Sequence, residues 1–479
     1  MRILILTLLI ILSNIIYSQE FNNYWHFGDS AGLHFTSGSP EYILNSSLQS
    51  HEPSASISDS SGNLLFYSNS IKVWDKNNNI MPNGNDLAAN INVYGSSITQ
   101  GCLIIPTPEQ DNLFYLFTLD FYYLYYSAID MNLNSGLGDV TAEKNIQLSE
   151  DEMTEKLNAV KHANGRDWWV ITHSSLGNTY YKYLVTPDGV EGPFLQTIGA
   201  ENLTTTGRFG EMIFTEQGDK LISVYNVEII DLFDFDRCTG ELSNWIDLRN
   251  DAPTPLYGAS FSPDGCKLYI SEYPPGKLFQ YDICQGDIKA SKTLIFDNPL
   301  DDFWMGQHQL APDGKIYICM SYDILPNEVF DFPNENLSVI NNPNAEGMAC
   351  DFDTASIWLG GKRSIFGLPN FPNYNLGALA GSECDTLSTA LHTINKKDAI
   401  SIYPNPASTS FIISGNVSFG DEVVMYNATG QLLLQEKIIA NQSIDISGIP
   451  SGIYVVQLKN NEVIKYAEKF IKVEGNYKK

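Results

Sequence analysis

Ten polar side chains spread along the front of the chain could together hold a ligand: His51, Glu52, Gln100, Glu155, Lys156, Arg208, Glu211, Tyr257, Gln307 and His308. Acids, bases, amides and a phenol brought to one place would supply the few convergent polar groups that orient a bound molecule. Other constellations carry less. Asp234 and Asp236 alternate with aromatics, so on a strand both point to one side. Glycoside hydrolysis needs two carboxylates flanking a sugar, yet two acids on one strand are the ordinary pattern of a solvent-facing edge. Asp301 and Asp302, in DNPLDDFW, offer the oxygens calcium takes, but at a spacing that matches no calcium loop. No cofactor is expected, and calcium is the one ion the sequence leaves open. His162 and His173 flank WWVI without a third zinc ligand. The chain has no GxSxG, HExxH, Walker A, Rossmann or EF-hand pattern.

The elements that must position the ten side chains come from a repeat. FSPDGCKLYIS at Phe261 matches LAPDGKIYICM at Leu310, and FTEQGDKLISVY at Phe214 has the same layout. KHANGRDWWVITH, PTPEQDNLFYLFT and SISDSSGNLLFYS extend the series back to Ser56. Each is a short apolar strand, a polar turn and an alternating strand, and the turns recur about every fifty residues. Asp-Gly and Asn-Gly supply the positive φ of tight hairpins. Four short strands per repeat at this period predict the blades of a β-propeller. Six repeats are clear. A seventh blade is expected from NYWHFGDSAGLHF pairing with GMACDFDTASIWLGG, which would close the ring and remove free sheet edges. The ten residues lie just before the innermost strands and therefore converge on one rim of the central channel. Trp304 lies just ahead of the last pair.

Composition agrees. Of 479 residues, 26 are Tyr and 24 Phe, while only 18% are charged. Aromatic and β-branched runs between Gly, Asn, Ser and Pro are the signature of strands and turns. The net charge of −28 repels phosphate backbones and anionic membrane surfaces, so nucleic acid is no partner. Met1 and Arg2, the apolar stretch Leu4 to Ile16 and the small Ser18 read as a secretion signal over 1–18, too short to span a bilayer. No other segment is apolar enough to cross, so the mature form has no expected transmembrane helix. Export permits disulfides. CKLYISEY and GKLFQYDIC read as a hairpin closed by PPG, and setting Glu272 opposite Leu278 puts Cys266 opposite Cys284, a candidate bridge. The other five cysteines stay unassigned.

Gly381 to Ala399 is small and polar and reads as the end of a linker. Alternating strands with Asn-Pro, Thr-Gly and Pro-Ser-Gly turns follow, the pattern of a small β-sandwich. YPNP, YNATGQLL, IDISGIPSGIYVVQL and KFIKV resemble the type A C-terminal sorting domain of the Bacteroidetes type IX secretion system. The resemblance assigns its motif positions to Tyr403, Pro404, Asn405, Pro406, Gly430, Gly448, Gly452 and Tyr454. It implies the secretion machinery as a partner and delivery to the cell surface or medium. The front of the chain, with YWHFGDSAGLHF, VWDKNNNIMPNG, TEKLNAVKHANGRDWWVITH and FGLPNFPNY, resembles an uncharacterised propeller of Bacteroidetes surface proteins, some associated with gliding motility. That family carries no catalytic residues over. Asp29 to Ala31, Asp353 to Ala355 and Asp385 to Leu387 resemble the Bacteroidetes O-glycosylation acceptor, with Thr386 the accessible one.

The expected organisation is a signal at 1–18, a seven-bladed propeller at 19–375, a linker at 376–399, a sorting β-sandwich at 400–473 and a tail at 474–479. The leading function is a non-enzymatic binding or adhesion module at the cell surface, taking a surface protein, glycan or polymer. The alternative is a secreted polysaccharide hydrolase, since propellers host enzymes too and fold alone does not decide. A structural subunit of an adhesion or motility apparatus is the third reading.

Overall fold

The structure is a computed structural model that describes residues 20–36, 38–87, 97–249, 254–273, 276–298, 303–321, 332–385, 401–414, 417, 420–427, 431–439, 442–460 and 463–473. The segment read as a signal, Asp301, Asp302, Thr386, Gly430 and the tail lie outside the described residues. The chain divides into two compact units, 1–385 and 386–479. Among the described residues no helix is long and apolar enough to cross a membrane.

The described residues of the first unit form seven small antiparallel sheets in chain order. Tyr24–Phe27, Ala31–His34 and Glu41–Tyr42 make the first, and Ala55–Ser58, Leu64–Ser68 and Val73–Asp75 the second. The third starts at Cys102–Pro106, the fourth at Met153–Lys161, the fifth at Met212–Phe214, the sixth at Leu256–Phe261 and the seventh at Trp304–Leu310. The fourth to seventh have four strands each, paired in sequence order. Burial falls along that order. In the sixth sheet Leu256–Phe261 and Lys267–Glu272 are buried throughout, whereas Thr293–Asp297 is mostly exposed. Strands buried on both faces read as continuous apolar runs, which explains CLIIP and IYICMS. First strands of consecutive sheets lie side by side, from the first sheet to the seventh. The recurring turn sits at the far end of each first strand: Gly265 N donates to Ser262 O and Gly314 N to Ala311 O, both glycines at positive φ.

Three expectations change. Phe352–Trp358 does not pair with the N-terminal strands. It is the outer strand of the seventh sheet, against Asn336–Ile340. Its partner had to be local because residues 341–351 form a short turn-and-3₁₀ connection that returns the chain beside its own strand. The ends of the series meet instead through Asp29 N donating to Arg363 O (3.0 Å) and the Arg363–Asp29 ion pair (3.3 Å).

Second, Cys266 and Cys284 are joined by a disulfide, but the hairpin register is one residue from the expected one, with Glu272 opposite Lys277. The two cysteines lie just beyond the paired residues, Cα atoms 5.1 Å apart. A second bridge joins Cys238 to Cys384. Cys102, Cys319 and Cys350 are free and buried. Third, residues 376–385, read as linker, pack on the first unit: Leu379 N donates to Ala163 O and Arg237 Nη2 to Gly377 O, ahead of the Cys384 bridge.

Residues 364–374 run down the middle of the first unit. Phe366 N donates to His51 O, Leu368 N to Gln307 Oε1 and Asn370 N to Ser54 O. Asn370 Nδ2 reaches Cys102 O (3.2 Å) and Leu157 O (2.8 Å), and Tyr374 Oη reaches Ile104 O (2.7 Å). One segment thus touches the second, third, fourth and seventh sheets.

In the second unit, Ser401–Tyr403, Ser410–Ser414 and Ser443–Asp445 form one sheet. Leu432–Lys437, Glu422–Asn427, Gly452–Asn460 and Val463–Lys472 form another. Phe411, Val423, Ile444, Val456 and Phe470 belong to one core shared by both.

Asn370→Ala strands two buried carbonyls and should cost about 2 kcal/mol, read as a lower urea midpoint at unchanged slope. Removing the Cys238–Cys384 bridge as C238A/C384A should cost about 2–4 kcal/mol by freeing a long loop in the unfolded chain. Limited proteolysis should then cut residues 376–385 sooner.

Candidate functional site

Of the ten residues singled out by sequence, Glu52, Glu155, Lys156, Arg208 and Tyr257 lie within electrostatic reach of one another and Glu211 meets His308, while Glu155, Lys156, Tyr257, Gln307 and His308 lie within the first strands and not ahead of them. They form an interior cluster instead of an open rim: Gln100, Glu155, Lys156, Arg208, Glu211, Tyr257, Gln307 and His308 are all buried. Glu52 is part-buried and the His51 side chain is exposed. The reason is backbone chemistry. The inner edge of each first strand faces the middle, away from water, and its N–H and C=O groups need partners.

Three of the ten are spent on that need. Gln100 grips Met212 with both ends of its amide, accepting from N (2.9 Å) and donating to O (3.1 Å). Glu211 Oε2 accepts from Ala259 N (2.7 Å) and His308 N (3.1 Å). Gln307 donates to Thr99 O and accepts from Leu368 N. Two more are held in place: Lys156 Nζ donates to Arg208 O (3.2 Å) and Phe209 O (3.0 Å), and His308 Nδ1 meets Ser260 Oγ (3.2 Å). Burial lowers Lys156 to about 7 and keeps His308 neutral, its pKa lowered to about 3.

Two of the remainder, Glu155 and Arg208, and also His308 carry buried atoms with no partner. Glu155 takes Thr99 N and Oγ1 on Oε2, while its Oε1 is buried and unmatched. Arg208 Nε and His308 Nε2 are likewise buried and unmatched, while Glu52 and Tyr257 hydrogen-bond each other. Burial and then the Glu155 charge push Glu52 up to about 8. Glu155 is also raised by burial, against Thr99 hydrogen bonds and the Arg208 and Lys156 charges. The Tyr257 hydroxyl is raised by burial and by Glu52. Buried polar atoms in native proteins are normally paired, so the unmatched atoms of Glu155, Arg208 and His308 stand out among residues otherwise spent on backbone partners.

Aromatic rings surround them. The Arg208 guanidinium lies 4.4 Å from the Phe121 ring centre and 5.3 Å from that of Tyr122. Tyr257, Phe366, Tyr273 and Trp304 form a connected set with centroids 4.6–6.0 Å apart. Sequence reasoning missed Phe121, Tyr122, Tyr273 and Phe366, which belong to connections and the axial segment, outside the repeat's first strands. It also missed Asn370, whose only signal was the doubled Pro-Asn in GLPNFPNY.

The other candidates resolve into local roles. Asp234 pairs with Lys220 (2.5 Å) and Asn244, and Asp236 accepts from Cys238 N. His162 Nε2 meets Cys238 O, and His173 Nδ1 donates to Ser174 O, so the two serve separate contacts. Among the described residues no three His, Cys, Asp or Glu side chains cluster as metal ligands.

In the second unit the sequence motifs meet in space. Asn405 donates to Lys469 O (2.8 Å) and accepts from Ile471 N (2.9 Å), tying YPNP to KFIKV. Tyr454 Oη donates to Pro450 O (2.5 Å), folding IPSGIY on itself, and Gly452 stands where a Cβ would come 3.2 Å from that hydroxyl. Tyr403 is about half exposed and Gly448 borders open space. Residues 401–473 match the family model of the secretion system C-terminal sorting domain. This sorting domain indicates secretion through the type IX system, with its machinery as a partner, and implies export to the cell surface or beyond.

No curated protein matches the chain. Among solved structures, the β-propeller domain of Cps50 (Swd1) from Myceliophteria thermophila is similar at 14% identity and a TM-score of 0.40, covering 63% of this chain and 93% of that one. A Lactobacillus plantarum protein is similar at 11% identity and 0.39, covering 79% and 93%. The radial arrangement of the sheets rests on the strand pairings and axial contacts given above.

The raised Glu52 carboxyl sets a pH dependence. Its folded pKa of about 8 lies above the ordinary 4.5, so the folded chain holds an extra proton between those values. Stability therefore falls as pH rises through that window. Glu52→Gln stays neutral throughout, so its urea midpoint should decline less between about pH 5 and about pH 8 than that of the parent chain.

Proposed function

We propose that the protein is an exported seven-bladed propeller followed by a small sorting β-sandwich, working at the cell surface as a non-enzymatic binding module. The propeller takes a small polar ligand at the axial cluster. The observation that carries this reading is the set of buried, unmatched atoms Glu155 Oε1, Arg208 Nε and His308 Nε2 beside the hydrogen-bonded Glu52 and Tyr257. They offer acceptors, a cationic donor and a hydroxyl, a mixture suited to a molecule with hydroxyl or amide groups. The aromatic set beside them supplies apolar contact. Gln100, Glu211 and Gln307 act as scaffold, because their hydrogen bonds to backbone are already used. The basic start and apolar run of residues 2–16 fit the same route of export. An adhesion role at the surface is part of this reading.

A hydrolase reading has one observation in its favour: Glu52 and Glu155 are a carboxyl pair in which one member is pushed up to about 8, as general acids are. Binding is preferred because both sit in a cluster whose charges are balanced by Lys156 and Arg208.

A screen of mono- and oligosaccharides, amino acids and polyols against the full chain tests the proposal. Tyr257→Phe removes a hydroxyl that faces Glu52 and Thr99, so folding stability should fall by no more than about 1 kcal/mol while affinity for the hit falls about tenfold. Equal binding by the variant would exclude the axial cluster, and turnover of any hit would favour the hydrolase.

A further inference from the structure

The recurring turns lie at the opposite end of the first strands from the axial cluster, and between them opens a cleft of about 720 Å³. Its walls include the prolines of two repeat turns, Pro263 and Pro312. Its floor includes the end of the axial segment. This volume lies within the range of ligand sites. We propose that the cleft is a second binding site, and that its ligand is a neutral, hydroxyl-rich oligosaccharide.

Three features select that class. First, Tyr24 and His34 are directly opposed across the first hairpin and stack at 4.0 Å, 16° from parallel. Both are half-buried and line the cleft. A flat ring pair of this kind offers the apolar face on which a sugar ring can lie. Second, the polar lining is dominated by amides, notably Asn22 and Gln309. An amide both donates and accepts, and so does every sugar hydroxyl. Third, among the described residues no Lys or Arg lines the cleft, while Glu20 and Glu216 do. An anionic ligand would meet carboxylates with no compensating charge, on a chain of net charge −28.

The two carboxylates are tied to the wall, Glu20 Oε2 accepting from Asn23 (2.9 Å) and Glu216 Oε2 from Asn373 (3.0 Å), and burial raises the Glu216 carboxyl toward its neutral form, which weakens the draw on a basic peptide. An added peptide strand would need an open strand edge, whereas the cleft is walled by turns. The site is separate from the axial cluster and does not rest on that reading.

The test is calorimetric titration of the full chain with neutral hexasaccharides (glucans of β-1,3 and β-1,4 linkage, mannan and chitin fragments), hexagalacturonate and hexalysine. At least one neutral hexasaccharide should bind, and hexagalacturonate and hexalysine should not. Tyr24→Ala should weaken that binding about tenfold. Asn22→Arg, which adds a long cationic side chain at a residue lining the cleft, should weaken it similarly at an unchanged melting temperature. Tyr257→Phe should leave it intact, which separates this site from the axial one. The proposal is overturned if no neutral hexasaccharide binds, if Asn22→Arg binds as the parent does, or if hexagalacturonate or hexalysine binds more tightly.

Discussion

Everything in the first unit depends on how the inner edges of the first strands are satisfied. A sheet sandwiched between neighbours can bury both faces, but its first strand still presents unpaired N–H and C=O groups toward the middle. Leaving them bare in a dry interior would cost on the order of 1–3 kcal/mol each. The chain meets this need with long amides and carboxylates, Gln100, Asn158, Glu211 and Gln307, and with its own segment around Asn370. Once those are in place the channel is no longer open, and the apolar sheets can close around it.

This constraint separates legible from illegible features. The sheets were legible because each leaves a local mark: an alternating strand, a Gly turn at positive φ, another strand. FSPDGCKLYIS and LAPDGKIYICM announce the Leu256–Phe261 and Trp304–Leu310 hairpins directly. The mutual reach of Glu52, Glu155, Lys156, Arg208 and Tyr257 follows from their position in the repeat. Their burial was not legible. It depends on residues 364–374, which lack strand periodicity and whose partners lie up to 270 residues away in sequence. The Phe352–Trp358 strand was misplaced for a related reason: alternation marks a strand but does not name its neighbour. The hairpin of Cys266 and Cys284 was read one residue out of register, because the turn length was guessed from PPG alone.

The sorting unit shows the opposite case. Its motifs are short and far apart in sequence, yet Asn405 binds the backbone of the last strand and Tyr454 binds Pro450. Buried Asp421 pairs with Lys465 (2.7 Å) and accepts from Asn460 (2.7 Å). The family motifs are therefore the joints of a small fold in which few residues are available to fill a core, and this accounts for their visibility as fixed words.

Hydrogen-bond accounting also sorts residues that look alike in sequence. Glu155 and Glu211 are both carboxyls at the end of a first strand, and burial raises both pKa values. Glu211 receives two backbone donors from the sixth and seventh sheets on one oxygen, which makes it part of the scaffold. Glu155 uses one oxygen on Thr99 and leaves the other bare beside Arg208 and Lys156. A carboxylate kept in a dry place with one face unmatched raises the free energy of the folded chain unless water or a ligand completes it. The cost of holding Glu155, Arg208 and His308 incomplete, with charged groups gathered around them, is the physical argument that the cluster exists to be occupied.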